Sequence, residues 1–411
     1  MARPRLDFLG RLRSVLGPDA AGARQGLVSL AVNSSTSLVA GAFLGAIVGT
    51  LESFPGLLVL VPAAIGMRGN IFGAFGNRVS TSIHAGTFNL SARRDTVLGQ
   101  NVLAAAVLTL GVSFLGAVVA KAVAVGLGVP GTIGLLDLAL VSILGGVLAS
   151  LVVLAATVSL TAGAVRYGWD LDNVCAPVVS TLGDVLTLPA LFLATFALGI
   201  AVVTTSLGVV LAAAAVAVTV WGLRSTLPEL RRIVRESLPV LLLAASLSAL
   251  AGVTLERSFD DLAAFPALFV LQPAFVSSAG ALGGILSARL SSKLLLGLIE
   301  GTPVPGREAR TDIGFVFVLA VPVCVFNGVG AHLVGLALDQ RSPGLAAMVG
   351  ASVLAGMIAM VFVAAVSYYG TIAAFRTGLD PDTYGIPVVS SSVDFTGALT
   401  LIVVIASLGI I

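Results

Sequence analysis

The sequence predicts an all-α integral membrane protein with about 11 transmembrane helices, arranged as two parallel five-helix repeats plus a linking helix. Three observations carry that prediction. Apolar residues make up 57% of the 411 residues and charged residues only 10%, with a mean hydropathy of +1.09. A soluble globular domain carries about 25% charged residues, so this chain cannot cover itself with a water-facing surface. Apolar runs near the ~20 residues needed to cross a bilayer recur from end to end. Finally, two long phrases each occur twice at nearly one spacing, the mark of an internal duplication.

In chain order the spans fall at 27–50, 55–88, 97–126, 134–165, 176–203, 206–222, 238–255, 265–299, 313–338, 345–369 and 387–411. The second and eighth are longer than one crossing needs and contain glycines and a proline, so they read as interrupted helices. The apolar stretch from Val185 to Trp221 is too long for one span, and Thr204-Thr205-Ser206 is its natural break. With eleven spans, Arg3, Arg5, Arg11, Arg13, Arg24, Arg93, Arg94, Arg166, Arg224, Arg231, Arg232, Arg235, Arg307, Arg310 and Arg376 fall on one side. Lys121, Arg257 and Arg341 fall on the other. Short loops rich in Lys and Arg stay cytoplasmic. A multi-pass cell-membrane protein with its N-terminus in the cytoplasm and its C-terminus outside is therefore expected. Residues 1–25 lack the short apolar core and cleavage site of a signal peptide. They read as a basic cytoplasmic tail that sets topology and can lie on anionic lipid.

The first repeated phrase, FPGLLVLVPAAIGMRGNIFGAFGNRVST from Phe54, returns as FPALFVLQPAFVSSAGALGGILSARLSS from Phe265. Pro55, Pro62, Gly69, Arg78 and Ser80 align with Pro266, Pro273, Gly280, Arg289 and Ser291. The second, WDLDNVCAPVVSTLGD ending at Asp184, returns as LDPDTYGIPVVSSSVD ending at Asp394. Asp170, Asp172, Pro177, Ser180 and Asp184 align with Asp380, Asp382, Pro387, Ser390 and Asp394. The chain thus divides into a tail (1–25), a first repeat (26–204), a linking helix with a basic cytoplasmic loop (205–236) and a second repeat (237–411). Five spans are an odd number, so two copies joined directly would be inverted. The extra span at 206–222 returns the second copy to the orientation of the first. Parallel repeats are related by a pseudo-two-fold axis along the membrane normal, which lets Asp184 and Asp394 face each other across a central path.

An unpaired carboxylate in a membrane helix costs roughly 2.5–3.5 kcal/mol on insertion scales. A chain that places two, symmetrically, is most simply read as building a cation site. On a helix beginning near Pro177, Ser180 and Thr181 lie four and three residues before Asp184, on its face; Ser390 and Ser391 stand likewise before Asp394. These are hard oxygen ligands without thiolate or imidazole, which favours Mg²⁺, Ca²⁺ or Mn²⁺ over zinc or copper. Mg²⁺ keeps much of its water and is held by one or two carboxylates, so a sparse two-aspartate site suits it better than Ca²⁺. The alternative is that each aspartate caps a broken helix or pairs with a buried arginine. Asp170, Asp172, Asp380 and Asp382, just inside the cytoplasmic face, could gather cations at an inner mouth or cap helix N-termini.

Gly66, Gly69, Asn70, Gly73, Gly76 and Asn77 could open their helix so that carbonyls line a cavity, or could permit close helix packing. Gly69, Asn70 and Gly280 are the pore-lining candidates, although Asn70 becomes Ala281 in the second copy. Arg78 and Arg289 snorkel or pair with acids. Glu52, Glu256, Asp260 and Asp261 read as solvated acids of the outer loops. Cys175 and Cys324 suggest neither a disulfide scaffold nor a zinc site. His84 and His332 are too isolated to argue for metal ligation.

The two aspartate phrases resemble the characteristic segment of the MgtE-type magnesium transporter membrane domain. The tandem arrangement with a linking helix resembles solute carrier family 41. The resemblance covers nearly the whole chain beyond the first 25 residues. It implies five-helix units paired around a central pore that conducts or exchanges Mg²⁺, with the family's pore aspartate falling on Asp184 and Asp394. The ion is both bound and transported, no organic cofactor or nucleic acid is involved, and one chain suffices as a monomer. Na⁺ or H⁺ as a coupling ion stays open. The family's Gly-Asn element is present as Gly69-Asn70 but departs to Gly280-Ala281. The 411 residues hold no counterpart of the cytoplasmic N domain or CBS pair, so gating by those domains is not carried over.

Two other classes compete. An intramembrane aspartyl protease also needs two membrane aspartates, and Gly183-Asp184 with Pro189-Ala190-Leu191 is reminiscent of such enzymes. Yet the second aspartate sits in Ser392-Val393-Asp394, and a duplicated phrase argues for equivalent acids where proteolysis needs unequal ones. A Na⁺- or H⁺-coupled transporter of an organic solute would want aromatic or basic groups to orient its cargo, and the site helices offer only Asp, Ser, Thr and small residues. The chain is expected not to be an enzyme.

Overall fold

Hydrocarbon offers no water to the backbone, so a spanning segment must satisfy its own N–H and C=O groups, and the apolar runs fold as helices. A computed structural model describes residues 20–167, 171–199, 201–295, 297–377 and 386–411. Eleven of its helices are long and apolar enough to cross a membrane. They are α1 (Ala20–Ala46), α2 (Leu57–His84), α3 (Val97–Gly126), α4 (Leu135–Tyr167), α5 (Leu171–Thr195) and α6 (Ala201–Arg224). There follow α7 (Pro228–Arg257), α8 (Ala267–Leu295), α9 (Arg307–Ala337), α10 (Leu345–Thr377) and α11 (Ile386–Ser407). Among the described residues there is no strand. The protein is an all-α, multi-pass membrane protein.

Three expectations about helix bounds need correction. The second and eighth spans are not interrupted: α2 runs unbroken through Pro62, Gly66, Gly69, Gly73 and Gly76, and α8 through Pro273, Gly280, Gly283 and Gly284. A glycine costs a helix only about 1 kcal/mol, whereas opening the backbone in hydrocarbon costs several per unpaired group. The break before the linking helix falls at a 3₁₀ turn, Phe196–Gly199, rather than at residues 204–206. Thr204 lies inside α6, and its hydroxyl donates back to the Ala197 carbonyl at 2.9 Å. Finally, α5 begins at Leu171, ahead of Pro177, so that proline sits in its second turn.

The first helix of each five-helix set packs on the other set. α1 lies against α8 and α9, and α7 against α2 and α3; each also meets the last helix of its own set, α5 or α11. Glycine makes both crossings possible. A Cβ on Gly41 would stand 2.3 Å from the Val270 carbonyl oxygen, and one on Gly252 2.4 Å from that of Val59. Both pairs of positions are 211 residues apart, so one backbone-to-backbone contact occurs twice.

Polar anchors follow the same register. Arg78 Nε donates to Asn101 Oδ1 at 2.7 Å, and Arg289 Nε to Asp312 Oδ1 at 2.9 Å. Both arginines are thus paired, and Asp312, fully buried, also meets Lys293 Nζ at 2.7 Å. The linking helix α6 packs on α3 and α4 and turns Val209, Val210 and Trp221 outward. Where the chain re-enters as α7, the buried Gln100 side chain accepts from the Glu229 and Leu230 amides, at 3.0 and 3.1 Å, and so satisfies orphan donors of that helix start. Glu256 is not merely a solvated loop acid. Its carboxylate accepts the Gly56 N–H at 2.6 Å, just before α2, where Gly56 takes φ +87.

Candidate cation site

Asp184 sits in the middle of α5 and Asp394 in α11, eight residues after that helix begins. Both are half-buried. Asp184 Oδ2 accepts two hydroxyls, Ser37 of α1 at 3.3 Å and Ser277 of α8 at 3.4 Å. Asp394 Oδ2 accepts Ser248 of α7 at 2.8 Å. Ser37 and Ser248 are counterparts 211 residues apart, so each carboxylate is met by the same position on the first helix of its own set. On the far side, Ser277 of α8 stands by Asp184, and its counterpart Gly66 of α2 stands by Asp394, where a Cβ would lie 3.8 Å from Oδ2. Each aspartate therefore lies at the seam between the two sets.

The other predicted residues distribute as follows. Ser180 and Thr181 are half-buried on α5; on α11 Ser390 is half-buried and Ser391 buried. The hydroxyls bonded to the carboxylates come from neighbouring helices, a source that i−3 and i−4 spacing did not indicate. Gly280 meets Ser390: a Cβ there would lie 3.9 Å from its hydroxyl. Gly69 faces open space, with no atom within 4 Å of a Cβ, although its amide lies 3.7 Å from where a Cβ on Gly183 would stand. Asn70 is half-buried on the same helix. Asp170, Asp380 and Asp382 lie outside the described residues; Asp172 falls in the first turn of α5, its side chain outside the description.

Among the described residues no three His, Cys, Asp or Glu side chains gather in one place. An ion between these helices would have two carboxylates, serine and threonine hydroxyls and water. That hard, sparse oxygen set fits a cation that keeps part of its hydration shell. A buried arginine also lies near. Arg68 of α2, only 2% exposed, is bonded to the Ala64 carbonyl of its own helix and fits over Gly146 and Gly183.

The profile of the family MgtE, described as a divalent cation transporter, matches residues 61–194 and again 272–404. The chain belongs to the MgtE family. Both matched stretches of this MgtE chain run from the second helix of a set into its last and contain Asp184 and Asp394; they leave out α1 and α7, the source of Ser37 and Ser248. Among curated relatives, solute carrier family 41 member 3 of Rattus norvegicus is 24% identical over 87% of this chain and 82% of its own length. Member 3 of Mus musculus is 24% identical over 84% of this chain and 74% of its own. Member 2 of Xenopus laevis is 24% identical over 84% and 64%. No solved structure matches the chain significantly.

Sequence reasoning missed Ser37, Ser248 and Ser277. A signal for the first two was present, because the register that relates Gly41 to Gly252 also relates Ser37 to Ser248. Ser37 closes the polar run Asn33-Ser34-Ser35-Thr36-Ser37, but a serine carries no charge to set it apart within that run.

Proposed function

We propose that this MgtE-family protein carries Mg²⁺ across the membrane along a central path between two parallel five-helix repeats, with Asp184 and Asp394 as the ion's carboxylate ligands. One observation carries the reading. Two membrane carboxylates, at equivalent positions of a duplicated sequence, lie at the seam between the helix sets and receive equivalent hydroxyls. Repulsion between facing carboxylates is relieved by a divalent cation between them. Their Oδ2 atoms are occupied by serine hydroxyls, which leaves Oδ1 of each to face the ion or its water. Ser180, Thr181, Ser390 and Ser391 are available to the hydration shell, and Gly69 and Gly280 leave the path open.

In this reading the repeats span 26–204 and 237–411, residues 205–236 link them, the N-terminus is cytoplasmic and the C-terminus outside. A single chain in the bilayer holds both halves of the path and works as a monomer. Asp170, Asp172, Asp380 and Asp382 gather cations at the inner mouth. Family membership and the paired contacts, each one register apart, support the arrangement. The test is Mg²⁺ uptake by the full-length protein in liposomes containing a Mg²⁺ indicator, with and without an opposing Na⁺ gradient. Uptake above empty liposomes is expected; a rate that rises with the gradient would add Na⁺ as the coupling ion. No Mg²⁺ movement under either condition would contradict the reading.

A further inference from the structure

The two halves of the site differ in one respect. Behind Ser277, the Asp184 side carries a chain of neutral polar groups. Asn33 Nδ2 donates to Ser277 Oγ at 3.0 Å, and the one Ser277 hydroxyl proton is shared between Asn33 Oδ1 at 3.3 Å and Asp184 Oδ2 at 3.4 Å. Ser34 and Ser278 share a hydrogen bond at 2.9 Å, and Asn327 Nδ2 donates to Ser278 at 2.9 Å and to the Ala274 carbonyl at 3.2 Å. Ser34, Ser278 and Asn327 are buried, and Asn327 Oδ1 has no hydrogen-bond partner.

Moving 211 positions to the other half turns Asn33, Ser34, Ser277, Ser278 and Asn327 into Ala244, Ala245, Gly66, Met67 and Gly116. The packing is conserved while the chemistry is not: Met67 Cε lies 3.5 Å from a Cβ on Gly116, where Ser278 meets Asn327 in the other half. A buried polar network fixes its members in place because each lost bond leaves a group unpaired in a low-dielectric surround. An apolar counterpart exerts no such hold.

We infer that the two aspartates are unequal ion ligands: Ser277, held by Asn33, is a positioning residue that makes Asp184 the ion's fixed anchor, while Asp394, held among the described residues by Ser248 alone, is the carboxylate that lets go. This rests on the proposed reading of the aspartate pair. A ligand already oriented loses less freedom when it binds, so the clamped carboxylate contributes more to affinity. The mobile one provides a step by which the ion leaves.

The test measures Mg²⁺ affinity of the purified full-length protein in detergent by calorimetry, for variants whose melting is unchanged. Asp184→Asn should weaken binding about tenfold more than Asp394→Asn, which is about 1.4 kcal/mol of hydrogen-bonded support to a charged group. Ser277→Gly, which copies the other half, should bring the two losses to parity. Gly66→Ser should narrow the gap from the other side by giving Asp394 a second hydroxyl, since a Cβ there makes only ordinary contact. Ser277→Thr keeps the hydroxyl and should keep the gap. Equal losses from Asp184→Asn and Asp394→Asn in the otherwise unaltered protein would overturn the inference. So would a gap unmoved by Ser277→Gly and Gly66→Ser. Undiminished binding in the double asparagine variant would sink the underlying reading instead.

Discussion

Asp312 offers the sharpest stability test, because its surroundings occur twice with different charge. Its fully buried carboxylate meets Arg289 Nε at 2.9 Å and Lys293 Nζ at 2.7 Å, while the two cations remain 28% and 23% exposed. Removing one member of a buried ion pair costs about 3–5 kcal/mol, chiefly by leaving charge uncompensated. Because Arg289 and Lys293 keep some access to water, Asp312→Ala should fall at the lower end, about 3 kcal/mol. In the first set the same constellation is neutral at two points: Asn101 accepts from Arg78, and Ser82 stands where Lys293 stands. Asp312→Asn keeps an acceptor for Arg289 but strips Lys293 of its counter-charge, for an expected loss of about 1.5–3 kcal/mol. Asp312→Asn with Lys293→Ser reproduces the first set and should recover most of that loss, a non-additivity expected of contacting residues. Unfolding by sodium dodecyl sulfate in mixed micelles, followed by far-ultraviolet circular dichroism, measures all three. An Asp312→Ala protein within about 0.5 kcal/mol of the unaltered one, the range of ordinary surface changes, would refute the argument. A double variant no better than Asp312→Asn would refute the equivalence of the two sets.

Gly252→Ala drives a methyl group into the Val59 backbone and should cost about 1–3 kcal/mol or more as overpacking, whereas Gly49→Ala, where no atom lies within 4 Å, should be nearly neutral in the same assay. Cysteine labelling tests orientation: a cysteine placed after Ile411 should react with an impermeant reagent on intact cells, and one at Arg231 only after permeabilisation. The reverse pattern would contradict the orientation proposed, and labelling of both from the same side would contradict the eleven-span topology. Neutralising Asp170, Asp172, Asp380 and Asp382 together should alter how flux depends on internal Mg²⁺ while sparing binding between Asp184 and Asp394. An unchanged dependence would make these four helix caps and nothing more.

Much of the fold was legible because hydrocarbon imposes a single rule on the backbone. The eleven apolar runs and the eleven long helices correspond, and family membership follows from the aspartate phrases that the sequence repeats. Errors arose where local signals met that rule. The glycines of α2 looked like breaks, yet the helix continues through them because an open backbone has nothing else to bond. Thr204-Thr205-Ser206 looked like a loop, yet a buried hydroxyl can be satisfied within the fold, as Thr204 is by the Ala197 carbonyl of the preceding 3₁₀ turn. At the site, Asp184 and Asp394 stood out by charge. Ser277, Gly66 and the network behind Asn33 did not, because their roles depend on α1 and α7 packing across to the other set, and no local pattern states which helices will touch.

The central claim is that Asp184 and Asp394 together hold the transported ion. The most direct measurement is Mg²⁺ flux through Asp184→Asn/Asp394→Asn protein in liposomes, beside unaltered protein of equal amount and equal melting temperature. Each substitution removes a charge while keeping size and an acceptor oxygen, so the fold should survive and no cavity forms. The account predicts flux reduced to that of empty liposomes. Near-normal flux from the folded double variant would contradict it.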